Sequence, residues 1–128
     1  MNKKLLSALL VSFLLSASQA ALAGWEDMTA EEITAAFSGK TAWGNHAIKN
    51  RRNMVYFAPD GTFKGKRLDE KGSGEGKWSV DGSNLCLEKE GDTRCRRCAQ
   101  KKKNGKIRKY KGKKHVWTYT KFEDGNKL

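Results

Sequence analysis

The chain of 128 residues has only two histidines, His46 and His115, and three cysteines, Cys86, Cys95 and Cys98. The histidines lie far from the cysteines in sequence and show no ligand spacing, which argues against a zinc site. They are also the only candidates for a histidine base. Neither sits in a recognisable nucleophile context, and no Gly-x-Ser-x-Gly elbow is present, so acyl-transfer chemistry has no residues to run on. The glycines between Gly72 and Gly76 precede a strand pattern instead of a helix, which removes a phosphate-cradling loop. Asp60, Asp81 and Asp92 sit at turns, where they have a conformational reason to be, and no pair of carboxylates stands out for glycoside hydrolysis. No catalytic residue, metal ligand or cofactor is expected, and the chain reads as a non-enzyme.

Long apolar runs are also missing, with one exception at the start. Met1-Asn2-Lys3-Lys4 leads into an apolar stretch from Leu5 to Leu15 and then into Ala21-Leu22-Ala23. A charged start, a short hydrophobic run and a small-x-small end are the three parts of a secretory signal peptide. The run of about 11 residues is too short to cross a hydrocarbon core of ~30 Å as a helix. Residues 1–23 are therefore expected to be removed, leaving 24–128 as a single small β domain that begins at Gly24, with no membrane span. The expected location is periplasmic or secreted.

Acidic residues are absent from one window. Twelve of the chain's basic residues lie between Arg94 and Lys114, with no Asp or Glu among them. The rest of the exported chain is close to neutral, so the basicity is local. A field of that sign attracts polyanions. Nucleic acid is scarce outside the cytoplasm, so an envelope polyanion is the better partner: lipopolysaccharide phosphates, anionic lipid or an acidic glycan. The candidate anion-binding residues are Arg94, Arg96, Arg97, Lys101, Lys102, Lys103, Lys106, Arg108, Lys113 and Lys114.

The three cysteines allow three pairings in an oxidising compartment, with one thiol left over. Residues 88–93 read as a hairpin tip between Cys86 and Cys95, which favours that bridge. Cys98 is then free or linked to another chain. Cys95-Arg-Arg-Cys98 has the spacing of a dithiol redox motif, with arginines that would lower a thiolate pKa. The stretch reads as strand, however, whereas that motif belongs at a helix start.

Met28-Thr29-Ala-Glu-Glu32-Ile33 is a helix start with a mechanism. Thr29 caps the N-terminus, Glu32 reaches back, and Met28 with Ile33 forms a hydrophobic staple. Ile33, Ala36 and Phe37 share a face, and Gly39 suits the left-handed C-terminal position. After this one short helix the pattern is strand and turn. Met54–Ala58 runs into the Pro59-Asp60-Gly61 turn and returns over Thr62–Lys66. Residues 69–76 form a polar loop. Strands at 77–80, 84–88 and 94–99 follow, then the Asn104-Gly105 hairpin signal, a strand at 107–110 and a last one at 115–122. Turns every eight to twelve residues predict an antiparallel meander of about seven or eight strands, curled into a small calycin-like barrel or a sandwich.

Phe37-Ser-Gly-Lys-Thr41, Tyr56-Phe-Ala-Pro-Asp-Gly-Thr62, Gly76-Lys-Trp-Ser-Val80, Leu85-Cys86 and Arg94-Cys95, following the leader and Met28–Ile33, occur in an order that resembles the small exported bacterial proteins of the domain-of-unknown-function family 995. The resemblance spans nearly the whole exported chain. It implies export, a single domain and a Cys86–Cys95 bridge, and it carries no catalytic residue. Cys98 and the lysine load after it depart from the family's pattern.

Aromatic residues complete the reading. Alternation in the last strand puts Val116, Thr118, Thr120 and Phe122 on one face and Trp117, Tyr119 and Lys121 on the other. Trp117 and Tyr119 beside Lys113, Lys114 and Lys121 form a candidate aromatic platform, suited to stacking while cations hold phosphates. The leading expectation is an exported, non-enzymatic binding module for an anionic ligand or surface of the envelope. The alternatives are a protein-interaction or inhibitor module and a thiol-active protein using Cys95 and Cys98.

Overall fold

The computed structural model describes residues 24–128; the expected signal peptide and its cleavage site at Ala23–Gly24 involve residues outside that range. A two-residue strand β1 (Glu26–Asp27) is followed by helix α1 (Ala30–Phe37) and eight strands. These are β2 (Lys40–His46), β3 (Arg52–Phe57), β4 (Thr62–Arg67), β5 (Ser73–Asp81), β6 (Asn84–Lys89), β7 (Asp92–Gln100), β8 (Ile107–Lys111) and β9 (Lys114–Asp124). Each of β2 to β9 pairs antiparallel with the next, and β9 returns to pair with β2. The result is a closed, up-and-down barrel of eight strands, with β1 added alongside the end of β7. Closure removes the unpaired edges that an open sheet would present. No helix among the described residues is long and apolar enough to cross a membrane.

The helix forms for the reason its sequence predicts. Thr29 Oγ1 accepts from the Glu32 amide at 3.2 Å, and Glu32 Oε1 accepts from the Thr29 amide at 3.0 Å, completing a capping box. Met28 and Ile33, the staple pair, are both buried. At the far end Gly39 takes φ 75°, a left-handed conformation open to glycine at little cost, and turns the chain into β2. The Pro59-Asp60-Gly61 turn is also as expected, with Asp60 Oδ1 accepting from the Thr62 amide and hydroxyl.

In an up-and-down meander, alternate connections fall at alternate ends. The helix, feeding β2, shares an end with the turns at 58–61, 82–83 and 101–106. Loops 47–51, 68–72, 90–91 and 112–113 lie at the other end. Helix α1 plugs the first end with Ile33 and Phe37. Phe37 meets Phe57, Tyr119 and Phe122 edge-on at centroid distances of 4.9, 5.2 and 5.4 Å, a favoured geometry for aromatic pairs. Leu85, Cys98 and Ile107 complete this core. Each large apolar side chain buried there contributes about 1.5–3 kcal/mol.

Two strand boundaries differ from the sequence expectation. Strand β2, with few β-branched residues, carried no signal of its own, yet it has a seven-residue span and pairs on both edges. The polar loop expected over 69–76 is shorter, because Ser73–Gly76 pair with Phe63–Lys66. Those glycine-rich residues extend only because a neighbouring strand supplies the hydrogen bonds.

Candidate functional site

Strand alternation sorts the basic segment into separate locations. Leu85 and Leu87 of β6 point into the barrel, and their cross-strand partners are Arg96 and Arg94 of β7. Cys98, fully buried in the core, pairs with Lys109 of β8, and Lys109 in turn pairs with Trp117 of β9. Directly opposed residues share a face of the sheet. Arg94, Arg96, Lys109 and Trp117 therefore belong to the inner wall, in the half away from the helix.

That half is hollow. A cavity of about 660 Å³ is lined by Phe63, Leu87, Lys89, Arg94, Arg96, Lys109 and Trp117, with His46, Glu90, Asp92 and Val116 at its margin. A second lobe of about 470 Å³ shares Phe63, Leu87, Lys89, Lys109 and Trp117 and reaches Asn53, Val55, Gly65 and Gly74. The cavity exists because the opposite wall carries almost no side chains. Gly44, Gly65 and Gly74 occupy inward positions on β2, β4 and β5, level with Asn53 and Val55 of β3. A Cβ at Gly44 would lie 2.2 Å from Trp117 Nε1, so the indole sits where only a glycine leaves room. Glycine inside a strand often marks such a close approach.

Lys109 forms the floor of the cavity. Its Nζ lies 5.3 Å from the centroid of the buried Tyr119 ring. Among the described residues, no carboxylate lies within ion-pair distance of it. Burial, with the like charge of Arg96 adding to it, pushes the Lys109 ammonium down to about 8. An isolated buried cation is unfavourable unless something compensates it, and here the only compensation on the page is the face of one aromatic ring. Lys89 also has no ion-pair partner among the described residues, whereas Arg94 pairs with Asp92 at 3.2 Å.

The wall beside Lys109 is split. The β7–β8 ladder has four pairs, from Arg97↔Tyr110 to Gln100↔Ile107. Residues Asp92–Arg96 continue along β6 but have no partner on their other edge. The barrel is thus closed next to the helix and parted above it, with Arg94 and Arg96 on one lip and Lys109 just inside the other.

The remaining expected anion-binding residues do not converge on this site. Arg97 pairs with Asp27 and stacks on Tyr110 at 4.5 Å. Arg108 lies 4.1 Å over Trp25, with Lys101 at 5.9 Å from the same ring. These three clasp the segment around β1 to the outside of the barrel. Lys102 bonds Glu32 at 2.7 Å and holds the Glu32 carboxyl below the usual range. Lys103 and Lys106 are exposed at the helix end, while Lys113 and Lys114 are exposed at the open end. The ten residues are therefore not one patch.

Two further expectations are corrected. Tyr119 is 2% exposed and belongs to the core, and Trp117 lines the cavity, so neither offers an external platform. The reason is a β-bulge. Trp43 pairs with Lys121 but Gly44 pairs with Tyr119, leaving Thr120 as an extra residue. A bulge shifts the alternation, which lets Tyr119 and Phe122 both meet Phe37. Lys121 remains outside, 4.7 Å over Trp43.

Cys86 and Cys95 are directly opposed on β6 and β7 and form the disulfide. Cys98 is a buried free thiol on the inner face, and burial pushes it up to about 11. Cys95 and Cys98 thus lie on opposite faces of β7, and a dithiol between them has no geometry. A link from Cys98 to another chain is equally excluded by its burial.

Lys109 and Lys89 were not singled out in the sequence, nor were the inward glycines. The glycines left a usable signal, since Gly44, Gly65 and Gly74 each interrupt a strand. Lys109 left none, because its inward direction depends on pairing with Cys98. Among known proteins, no family model, no curated protein and no solved structure matches this chain.

Proposed function

We propose that this chain acts after export as a non-enzymatic binding module for an anionic ligand, and that the ligand is taken inside the barrel. The observation that supports this reading is Lys109, a cation at the floor of an accessible cavity with no carboxylate to neutralise it. A protein whose only interest in that position were stability would place an apolar residue there. Stability sacrificed at one residue is characteristic of a functional site. The exposed lysines at the open end, Lys113 and Lys114, add an attractive field at the entrance. Such a field raises the rate of encounter more than it raises affinity.

The envelope polyanions remain the ligands that fit export: lipopolysaccharide, anionic lipid and acidic glycan each present compact anionic groups. Titrating the protein with each at low and high salt, beside Lys109→Met, tests the reading. Binding by the wild type that weakens with salt and is reduced in Lys109→Met is the expected result. Binding equal in both proteins, but lost when Lys101, Lys102, Lys103 and Lys106 are neutralised together, would transfer the function to the helix-end surface. No binding to any of the three at low salt would refute the anion reading. Export itself is read from the intact mass of the protein recovered outside the cytoplasm, which should begin at Gly24.

A further inference from the structure

We infer that the cavity is built for a small acid with a flat apolar body, its oxyanion at Lys109 and its ring against Trp117. This rests on the anion-binding reading above and narrows it to a ligand class.

The floor and walls make different demands on a ligand. At the floor, Lys109 and Arg96 project from adjacent strands into the same space, with Lys89 on the next strand over. An oxyanion placed there meets two or three cations and no acid, since Glu90 and Asp92 lie at the margin and Asp92 already holds Arg94. Between floor and margin the lining changes to Trp117, Phe63 and Leu87. Those side chains present aromatic and branched surface, which calls for an apolar body and suits a planar one.

The position of Trp117 is itself built. Its indole rests on Gly44, where a Cβ would stand 2.2 Å from Nε1 and 3.0 Å from Cε2. His46, edge-on to the same ring with centroids 6.0 Å apart, fixes its other side. His46 Nδ1 in turn accepts from the amides of Ile48 and Lys49 at 3.1 and 3.0 Å, which ties the ring cluster to the loop over the entrance.

Size and polarity exclude the larger candidates. A volume of about 660 Å³ is in the range of pockets that hold a single small molecule. A long acyl chain anchored at Lys109 would have to leave past Lys89, Glu90, Asp92 and Arg94 and expose its length to water, which is unfavourable for apolar surface. A polyanionic polymer could insert only one terminal group. A compact aromatic acid satisfies floor and wall together and leaves nothing outside.

The test uses three probes chosen to separate the two demands: 2-naphthoate, its neutral analogue 2-naphthamide, and inorganic phosphate. Binding is followed by calorimetry and by the indole proton resonance of Trp117, assigned with Trp117→Phe. The expected result is that 2-naphthoate binds at least about tenfold more tightly than either of the others and shifts that resonance. Lys109→Met should bring its affinity down to that of 2-naphthamide without changing the latter. Trp117→Ala should weaken 2-naphthoate by about tenfold or more and leave phosphate unchanged, and Trp117→Phe should retain most of the affinity.

The failures are distinguishable. If phosphate binds as tightly as 2-naphthoate and depends on Lys109, the module binds anions but the aromatic-acid inference is wrong. If 2-naphthamide binds as tightly as 2-naphthoate, the site is apolar and the role given to Lys109 is wrong. If neither acid nor phosphate perturbs Trp117 or depends on Lys109, the inference is wrong whatever the surface lysines do, and binding of an envelope polyanion then decides the broader reading separately.

Discussion

Replacing Lys109 by methionine should make this protein more stable. The substitution keeps an unbranched stem of similar length against Trp117 and Tyr119 and removes the ammonium. The fall of that ammonium from the usual 10.5 to about 8 corresponds to roughly 3 kcal/mol disfavouring its charged form in the folded protein. Loss of the contact between Nζ and the Tyr119 ring offsets about 0.5–1 kcal/mol, leaving about 2 kcal/mol in favour of the variant at neutral pH. For a domain of this size that raises Tm by about 10 °C.

The pH dependence gives the sharper check. Below about 8, folded and unfolded chains both hold the proton and the full cost of the buried charge is present. Between about 8 and 10.5, the folded protein has shed a proton that the unfolded chain still binds, so wild-type stability rises with pH relative to the variant. Above 10.5 the difference should have closed to the packing terms alone. Urea unfolding of both proteins at several pH values from 6 to above 10, followed by tryptophan fluorescence, measures this directly. A less stable Lys109→Met, or a difference that does not change with pH, would refute the account of Lys109 as an uncompensated interior cation.

Three other outcomes follow from the same structure. Removing the Cys86–Cys95 bridge by a double serine substitution should cost about 2–3 kcal/mol, because the closed loop spans about ten residues. Both cysteines lie outside the cavity wall, so 2-naphthoate affinity should be unchanged in the refolded variant. Cys98, buried with its thiol pushed up to about 11, should resist a thiol reagent in the native protein and react once the chain is unfolded in denaturant. Gly44→Ala puts a methyl group where Trp117 Nε1 now lies; it should destabilise by roughly 1–3 kcal/mol through overpacking and move the Trp117 indole resonance, whereas Gly82→Ala, at a turn with open space around it, should leave that resonance in place.

Local chemistry made much of the fold legible. Thr29, Glu32, Met28 and Ile33 define the helix start with interactions that span at most five residues, and the structure has all of them. Pro59-Asp60-Gly61 and Asn104-Gly105 define turns through dihedral preferences that hold in almost any context. The Cys86–Cys95 bridge follows from a tight hairpin between two strands, again a short-range relation. Interactions of this kind are encoded where they are made, so a single sequence is enough to read them.

The site belongs to the other category. Whether a lysine faces water or the barrel interior depends on the register of its strand against strands far away in sequence. A one-residue shift moves every side chain to the opposite face. Lys109 is inward because it pairs with Cys98, and Trp117 because it pairs with Lys109. The extra residue Thr120 then carries Tyr119 and Phe122 to the same side, against the simple alternation of β9. Closure of β9 on β2 gathers Gly44, Gly65 and Gly74 into the wall facing these groups. The sequence by itself determined the helix, the turns, the bridge and the quantity of positive charge. Only the tertiary structure decided that this charge is divided among a clasp on β1, two exposed ends and one unpaired cation inside, because non-local pairing alone says which face of each strand is buried.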